Sequence, residues 1–446
     1  MHFKTPQPEA FFYSRTAVVA AGAPKRQCLP APLSHFGYRG AMSTALHHSP
    51  HDALTAIVLS GGGARAAYQV GVLQALSRLR QNAGEDHAPT PFPIAVGTSA
   101  GAINAAGLAC GADHFDRAVQ RLSRVWRNFS TSQVYRADAF GVARSGARWL
   151  SLLTLGWALT RWHHSKPRSL LDNTPLLQLL QAELPLEKIP HLLHNGQLAA
   201  LAITASSYTT GEHITFYETG PHVPGWSRLQ RRAIQDRITH QHLMASSSIP
   251  FIFPPTELDV RGQYNYLGDG AMRQTAPLAP AVHLGAQRIV VVGVGRSHEV
   301  VNLPQGEHPP FPSLAQVAGH ALSTIFLDAL SLDVERAQRI NHTLSLIPPL
   351  EQARSALRPV DLLVFTPSQS LDAIALAHLQ ELPTPVRALL GAMGVSVHNH
   401  SIGSAALASY LLFEPGYTRA LIALGRADTM ARQEEVRAFF DWPSRR

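Results

Sequence analysis

Cysteine is nearly absent from this sequence, whose 446 residues include only Cys28 and Cys110. Two cysteines so far apart provide neither a disulfide framework nor the clustered ligands of a zinc site. Histidine is plentiful, but the pairs at positions 47–48 and 163–164 lack further ligand-type residues at metal-site spacing. We therefore expect chemistry that uses neither a metal nor another cofactor.

Charged residues are also scarce, at 15% of the chain, and basic residues are not interleaved with aromatic ones. The lack of a stripe of interleaved basic and aromatic residues argues against nucleic-acid binding. Residues 1–50 hold five basic residues and one acid, which is half of the net charge of +8. We expect residues 1–51 to form a basic, disordered tail without a typical signal peptide. A single large domain is expected over residues 52–440, followed by a short tail at 441–446.

No apolar run reaches the roughly twenty residues that span a bilayer. The most suggestive run is Trp149–Thr160, which lies between Arg148 and Arg161. Two interpretations stay open for it. It is either a buried helix of an inserted helical region near residues 115–195, or a segment at a membrane–water interface, where tryptophan and basic residues are favoured. The expected localisation is the cytoplasm or the surface of a membrane.

What the sequence does contain is two glycine-rich turns, each between a strand pattern and a helix pattern. The first holds Gly61, Gly62, Gly63, Ala64 and Arg65, after the β-rich run 55–60. Successive glycines let the backbone approach a ligand closely, and amides at a helix start favour an anion. An oxyanion hole, a nucleotide site and a plain tight turn remain open here, although the Lys-Ser/Thr of a phosphate-binding loop is missing.

The second turn carries the candidate nucleophile, Ser99, with Gly97 and Gly101 on either side. It follows the apolar run Pro93–Val96 and precedes the alanine-rich run Ala100–Cys110. A strand-to-helix turn flanked by glycines can present a serine hydroxyl at the start of a helix. Adjacent parallel strands would bring both turns to the same edge of a sheet, and this pairing predicts acyl transfer.

A serine nucleophile needs a base, because its hydroxyl is poorly reactive at its own pKa. The best candidate is Asp269, which lies between Gly268 and Gly270 after the strand-like pair Tyr266 and Leu267. An ordinary Asp-Gly turn is the alternative.

These motifs, in this order, resemble those of the patatin-like phospholipase family, and bacterial members most. The family pairs a Gly-Gly-Gly-x-Arg turn with Gly-x-Ser-x-Gly and a later Asp-Gly. The stretches Ser246–Pro255 and Ser409–Pro415 are also similar, so the resemblance covers roughly residues 52–440. Ala66 stands where the family often has glycine, and its methyl group should be tolerated if this residue is helical.

The resemblance implies a dyad in which Asp269 takes the Ser99 proton, with the oxyanion among the amides of Gly62, Gly63 and Ala64. Arg65 would either bind a phosphate headgroup or pin the loop by pairing with a carboxylate. The implied fold is α/β, a three-layer α/β/α sandwich around a mainly parallel central sheet. The implied activity is hydrolysis of fatty acyl esters, with glycerophospholipids in membranes or micelles as substrate.

Three other functions remain open. An α/β-hydrolase-type esterase would need a triad, and five histidines follow Asp269: His283, His320, His342, His398 and His400. A lipid-binding protein without catalysis would be expected to lack Ser99 or Asp269, and both are present. A nucleotide-binding protein is the third.

The remaining chain alternates between strand and helix patterns. Strands are predicted at 198–205, 213–218, 288–294 and 361–366, and a long helix is predicted over 314–340.

Overall fold

The computed structural model describes residues 54–85, 88–136, 169–220, 223–295, 311, 313–395 and 402–443, with only the backbone of 402–404. The basic segment 1–51, the run Trp149–Thr160 and most of the loop before residue 314 lie outside these described residues, as does the last part of the segment 441–446.

The described strands are β1 (Thr55–Leu59), β2 (Ile94–Thr98), β3 (Ala200–Ser207), β4 (His213–Thr219), β5 (Ser227–Arg228), β6 (Arg231–Gln235), β7 (Thr256–Val260), β8 (Gln263–Asp269), β9 (Arg288–Val292) and β10 (Asp361–Phe365). The described helices are α1 (Ala67–Asn82), α2 (Ala100–Ala109), α3 (Phe115–Arg127), α4 (Thr131–Val134), α5 (Thr174–Glu183), α6 (Ile189–His194), α7 (His240–Ser246), α8 (Ala279–His283), α9 (Leu314–Ser323), α10 (Ala329–Ser345), α11 (Pro349–Gln352), α12 (Leu371–His378), α13 (Thr384–Ala392), α14 (Ile402–Leu411), α15 (Pro415–Ala431) and α16 (Gln433–Phe440). A π-helical turn, Thr324–Asp328, joins α9 to α10.

The strands form one mixed sheet with the order β10-β9-β1-β2-β3-β4-β6-β5, and β8 pairs with β3 and β7. The run from β10 to β3 is parallel throughout. This confirms the strands predicted from the apolar runs around β1, β2, β3, β4, β9 and β10. The short strands β5, β6 and β7 were not predicted.

Helices cover both faces of this sheet, which confirms the three-layer α/β/α fold. Successive residues of β1 alternate between two cores: Ile57 and Leu59 pack on one face, and Ala56 and Val58 on the other. The first core includes α1, α2 and α3, and the second includes α8 and part of α10. A parallel sheet that is buried on both faces reads as continuous apolar runs, as these strands do.

The described part of the region 115–195 contains α3, α4, α5 and α6, between α2 and β3. The helix predicted at 314–340 is present as α9, the π-helical turn and α10, and it extends to Ser345. By length and composition alone this helical run could also cross a membrane. Helices that pack on a protein core pass the same test, but only 28% of the apolar window of this run is buried, and Leu314, Val317 and Leu332 are exposed.

The pairing of β3 brings the two candidate catalytic residues to one place. Residues 200–204 of β3 pair with β2, so Thr98 lies opposite Thr204. Ala205 lies opposite Asp269 of β8, while β4 occupies the other edge of β3. Because β8 is antiparallel to β3, the carboxyl ends of β2 and β8 meet at this point. Ser99 follows one of these ends and Asp269 forms the other.

Candidate active site

Ser99 occupies a strained turn between β2 and α2. Its backbone has φ 56° and ψ −131°, a conformation that costs a side-chain-bearing residue about 1–3 kcal/mol. A Cβ on Gly97 would lie 2.4 Å from the Gly101 carbonyl oxygen, and one on Gly101 would lie 2.3 Å from that of Leu59. Both flanking positions therefore require glycine, as the Gly-x-Ser-x-Gly pattern predicts.

A buried serine from another element holds the Ser99 backbone. The Ser99 amide donates a hydrogen bond to Ser246 Oγ at 2.8 Å, and Ser246 is completely buried at the end of α7. The preceding residue is held too, because Thr98 Oγ1 lies 2.8 Å from Thr204 Oγ1 and accepts from Gln274 Nε2 at 2.8 Å. The strained nucleophile turn is thus fixed by contacts from β3, α7 and the segment after Asp269.

Asp269 is completely buried at the end of β8. Its Oδ1 accepts from the Ala271 amide at 3.0 Å, and its own amide donates to the Ser248 carbonyl at 3.0 Å. Its Oδ2 has no well-formed hydrogen bond to any part of the chain that the structure describes. Gly270 is required next to it, because a Cβ there would lie 2.3 Å from the Thr204 carbonyl oxygen.

Burial raises the pKa of Asp269 to about 7, while the Ser99 hydroxyl and the Ala271 amide act to lower it. The Ser99 hydroxyl therefore lies beside the carboxyl. A carboxylate that titrates near neutral pH is well matched to proton transfer, because it is ionised in part yet basic enough to accept a proton.

The glycine turn after β1 lies directly against Ser99. A Cβ on Gly61 would come within 3.0 Å of Ser99 Cβ and 2.9 Å of the Phe326 ring. A Cβ on Gly62 would meet Val294 at 2.4 Å, and one on Gly63, at φ 55°, would meet the Tyr410 carbonyl at 2.3 Å. A 3-10 turn, Gly63–Ala66, begins here and leads into α1. The first amides of a helix have no intrahelical partner and favour negative charge, so this turn can serve as an oxyanion hole.

Arg65 lies in a buried polar cluster. Its guanidinium pairs with Asp372, donates to Ser409 Oγ at 2.8 Å and lies 4.0 Å over the ring of Tyr410. Arg65 is 3% exposed and does not line the pocket beside Ser99. These contacts favour the loop-pinning alternative over headgroup binding. Ala66 has φ −64°, so its methyl group is accommodated in a helical conformation as expected.

A narrow pocket of about 50 Å³ opens beside Ser99, and we call it the acyl pocket. It runs between α2, α3 and α5, and its lining is almost entirely apolar, including Ile103, Leu122, Leu180, Ile249, Phe253 and Phe413. The lining also includes Arg121, Glu183 and Ser247, and the buried Ser247 Oγ has no hydrogen-bond partner among the described residues. An apolar channel that ends at a serine nucleophile suits a fatty acyl chain.

The described histidines do not form a triad with Ser99 and Asp269. His283 stacks on Trp226 with 4.6 Å between ring centres, and His320 and His342 are exposed. None of the three lines the acyl pocket, and His398 and His400 lie outside the described residues. His213 contacts the Gly270 backbone, and burial lowers its pKa to about 4, so it is neutral at pH 7. Within the residues described, no cluster of three His, Cys, Asp or Glu could hold a metal.

Sequence reasoning missed the roles of Ser246, Ser248 and Phe326. The first two belong to the Ser246–Pro255 stretch, which stood out only by its resemblance to family sequences. Phe326 lies in the π-helical turn, and its ring packs on Tyr410 at 5.2 Å between centres. Such turns are frequent at functional sites, but no local sequence pattern indicates them.

Comparisons with known proteins found a matching family model and a similar solved structure. The family model described as patatin-like phospholipase matches residues 57–282, just over half of the chain, and this match includes Ser99 and Asp269. No curated protein matches the sequence significantly. Among solved structures, VipD from Legionella pneumophila is similar at 14% identity and a TM-score of 0.30, over 86% of this chain and 67% of that one.

Proposed function

Because the chain belongs to the patatin-like phospholipase family, whose activity is lipid acyl hydrolysis, we propose that it cleaves fatty acyl esters through a Ser99–Asp269 dyad. One observation carries the proposal. A strained, buried serine lies against a completely buried carboxyl, with a glycine turn on one side and an apolar pocket on the other.

In the first half of the reaction, the ionised Asp269 removes the proton from Ser99 Oγ as that oxygen attacks the ester carbonyl. Negative charge develops on the carbonyl oxygen, where the amides of Gly62, Gly63 and Ala64 would stabilise it. The Ser99 amide already donates to Ser246, so it is not free to join them. The ester bond then breaks, and the leaving alcohol takes the proton from Asp269.

In the second half, Asp269 removes a proton from water, which attacks the acyl-serine carbonyl. The same amides would hold the second oxyanion. Collapse of this intermediate releases the fatty acid and returns the proton to Ser99 Oγ. The same carboxylate acts as base in both halves of the reaction and as acid when each intermediate collapses. These proton transfers therefore need no histidine and no metal.

The apolar lining of the acyl pocket supports a fatty acyl ester as substrate, and we propose a glycerophospholipid of the phospholipase A or lysophospholipase type. Such lipids are presented by membranes or micelles. We therefore propose that the enzyme acts in the cytoplasm or at a membrane surface through peripheral contact.

A lipid panel tests this proposal. Wild-type protein, Ser99→Ala and Asp269→Asn would be incubated with phospholipids, lysophospholipids and triacylglycerols in the same detergent micelles, and released fatty acids would be measured. We expect release from phospholipid or lysophospholipid by the wild type, and losses of a hundredfold or more in both variants. Unchanged release by Ser99→Ala, or no release by the wild type from any lipid, would contradict the proposal.

A further inference from the structure

A second apolar groove, of about 200 Å³, lies on the other side of one wall of the acyl pocket. We call it the second groove. Its described lining is apolar throughout and comes from separate parts of the chain, among them Leu171, Phe251, Ala321, Ile325, Leu390 and Leu411. An apolar groove of this size without a polar lining group fits a hydrocarbon chain.

The wall between the two cavities is a short turn that contributes to both. Ile249 and Phe253 line the acyl pocket, while Pro250, Phe251 and Ile252 line the second groove. The turn is held by another part of the groove lining, because the Phe251 and Ile252 carbonyls accept hydrogen bonds from the Leu170 and Leu171 amides at 2.9 and 2.8 Å. The end of α14 and the residues after it also contribute to both cavities. Leu411 lines the second groove, and Phe413 lines the acyl pocket.

The second groove also comes close to the nucleophile along the π-helical turn. Ile325 lines the groove, and the next residue, Phe326, packs against the place where a Gly61 Cβ would stand. Ser99 Cβ lies 3.0 Å from that same place. One residue of the turn therefore borders the groove while its neighbour borders the catalytic site.

Phe251, on the wall, combines two unfavourable features. It has φ 66°, in the left-handed region that bulky residues rarely adopt, and its side chain is 74% exposed. Strained backbone of this kind costs about 1–3 kcal/mol and is concentrated at ligand clamps and active sites. Phe251 thus presents an exposed aromatic ring between two apolar cavities, and this ring can contact a lipid that enters them.

We propose that the second groove holds the uncleaved acyl chain of a diacyl lipid while the chain to be cleaved lies in the acyl pocket. The inference rests on the proposed function and adds to it the substrate class: a glycerolipid with two chains rather than one. The two chains of such a lipid leave adjacent glycerol carbons, so its backbone would straddle the wall at Ile249–Phe253, with Phe251 between the chains.

The proposal predicts a dependence on the length of the uncleaved chain. For a lipid that is monomeric in water, each methylene buried in the groove contributes about 0.8 kcal/mol, or about fourfold in kcat/KM. Lipid in a micelle would show much less, because its chains are already in an apolar environment. Short-chain lipids below their critical micelle concentration are therefore the appropriate probe.

The experiment uses glycerophosphocholines with one ester-linked hexanoyl chain and one ether-linked chain of two to eight carbons, in both positional isomers. The ether chain cannot be hydrolysed, so it reports only on binding. Ala321→Phe places a ring in the groove from an exposed position of α9, and Ala353→Phe makes the same change at an exposed position outside it. Hydrolysis of p-nitrophenyl hexanoate shows whether the Ser99 site is intact in each variant.

We expect kcat/KM of the wild type and of Ala353→Phe to rise at least tenfold as the ether chain lengthens, and that of Ala321→Phe to stay nearly constant. No dependence in the wild type, or an equal dependence in Ala321→Phe, would overturn the inference. If the wild type hydrolyses none of these lipids, the proposed function fails. Calorimetric titration of Ser99→Ala with diether lipids then tests the groove by itself. Affinity should rise with chain length in Ser99→Ala, and it should stay nearly constant when Ala321→Phe is added and its ring fills the groove.

Discussion

Asp269→Asn should lower kcat by about a hundredfold or more and at the same time make the folded protein more stable at neutral and alkaline pH. The substitution removes a charge that the native state holds in a completely buried position, and it keeps a side chain of nearly the same shape. The asparagine oxygen can still accept the hydrogen bond from the Ala271 amide. The change therefore separates the charge of Asp269 from its packing.

The size of the effect follows from the pKa of Asp269, which burial raises from 3.8 to about 7. The native state thus binds this proton more tightly than the unfolded chain does. The contribution of Asp269 to stability should be fully present below about pH 4 and should be lost as the pH rises through about 7, where the native carboxyl ionises. The difference between a pKa of 3.8 and one of about 7 corresponds to at most about 4 kcal/mol in the free energy of unfolding.

Urea unfolding of the wild type and Asp269→Asn between about pH 3 and pH 8 measures this difference, since this range brackets both pKa values, 3.8 and about 7. The variant should gain stability relative to the wild type as the pH rises, by up to about 4 kcal/mol. In parallel, kcat/KM of the wild type should rise with pH through about 7, because the base must be ionised. A stability difference that does not change with pH would refute the assignment of a buried, proton-binding carboxyl.

Three further predictions concern residues around the site. Ser246→Ala should lower kcat about tenfold or more with little change in KM, because it frees the strained Ser99 backbone. Ser248 is equally buried, and Ser248→Ala should lower only the stability of the fold. A similar loss of kcat in both variants would contradict this role of Ser246. Arg65→Met should destabilise the fold by about 3–5 kcal/mol by leaving a carboxylate unpaired, and altered headgroup preference at unchanged stability would instead support lipid binding. Replacing Trp149 and Trp157 with Ala should weaken vesicle binding and spare hydrolysis of a soluble ester, and equal losses on both substrates would show that this segment is core.

The two glycine turns of the candidate site could be predicted because their geometry is local. Gly97 and Gly101 are required by atoms of neighbouring turns, and such a requirement is visible in the sequence as glycine between a strand pattern and a helix pattern. The central strands were predictable for a similar reason, since strands buried on both faces are continuous apolar runs. The prediction of Asp269 as the base had weaker support, because an Asp-Gly turn has the same local pattern with or without a catalytic role.

The contacts that complete the site join residues far apart in the sequence. Arg65 meets Asp372, Ser99 meets Ser246, and no periodicity connects either pair. The mixed edge of the sheet was missed for another reason: β7 alternates between exposed and half-buried residues, so it lacks the apolar run that marks a central strand. Tertiary packing decides these features, and single-sequence patterns do not contain it.

Covalent labelling of Ser99 tests the central claim most directly. A fluorophosphonate reacts with an activated serine because its phosphorus is attacked as an ester carbonyl would be. Mass spectrometry of the labelled wild type should place one adduct on Ser99, with none in Ser99→Ala and much slower labelling in Asp269→Asn. An adduct that persists at the same stoichiometry in Ser99→Ala, on Ser247 or another serine, would contradict the account.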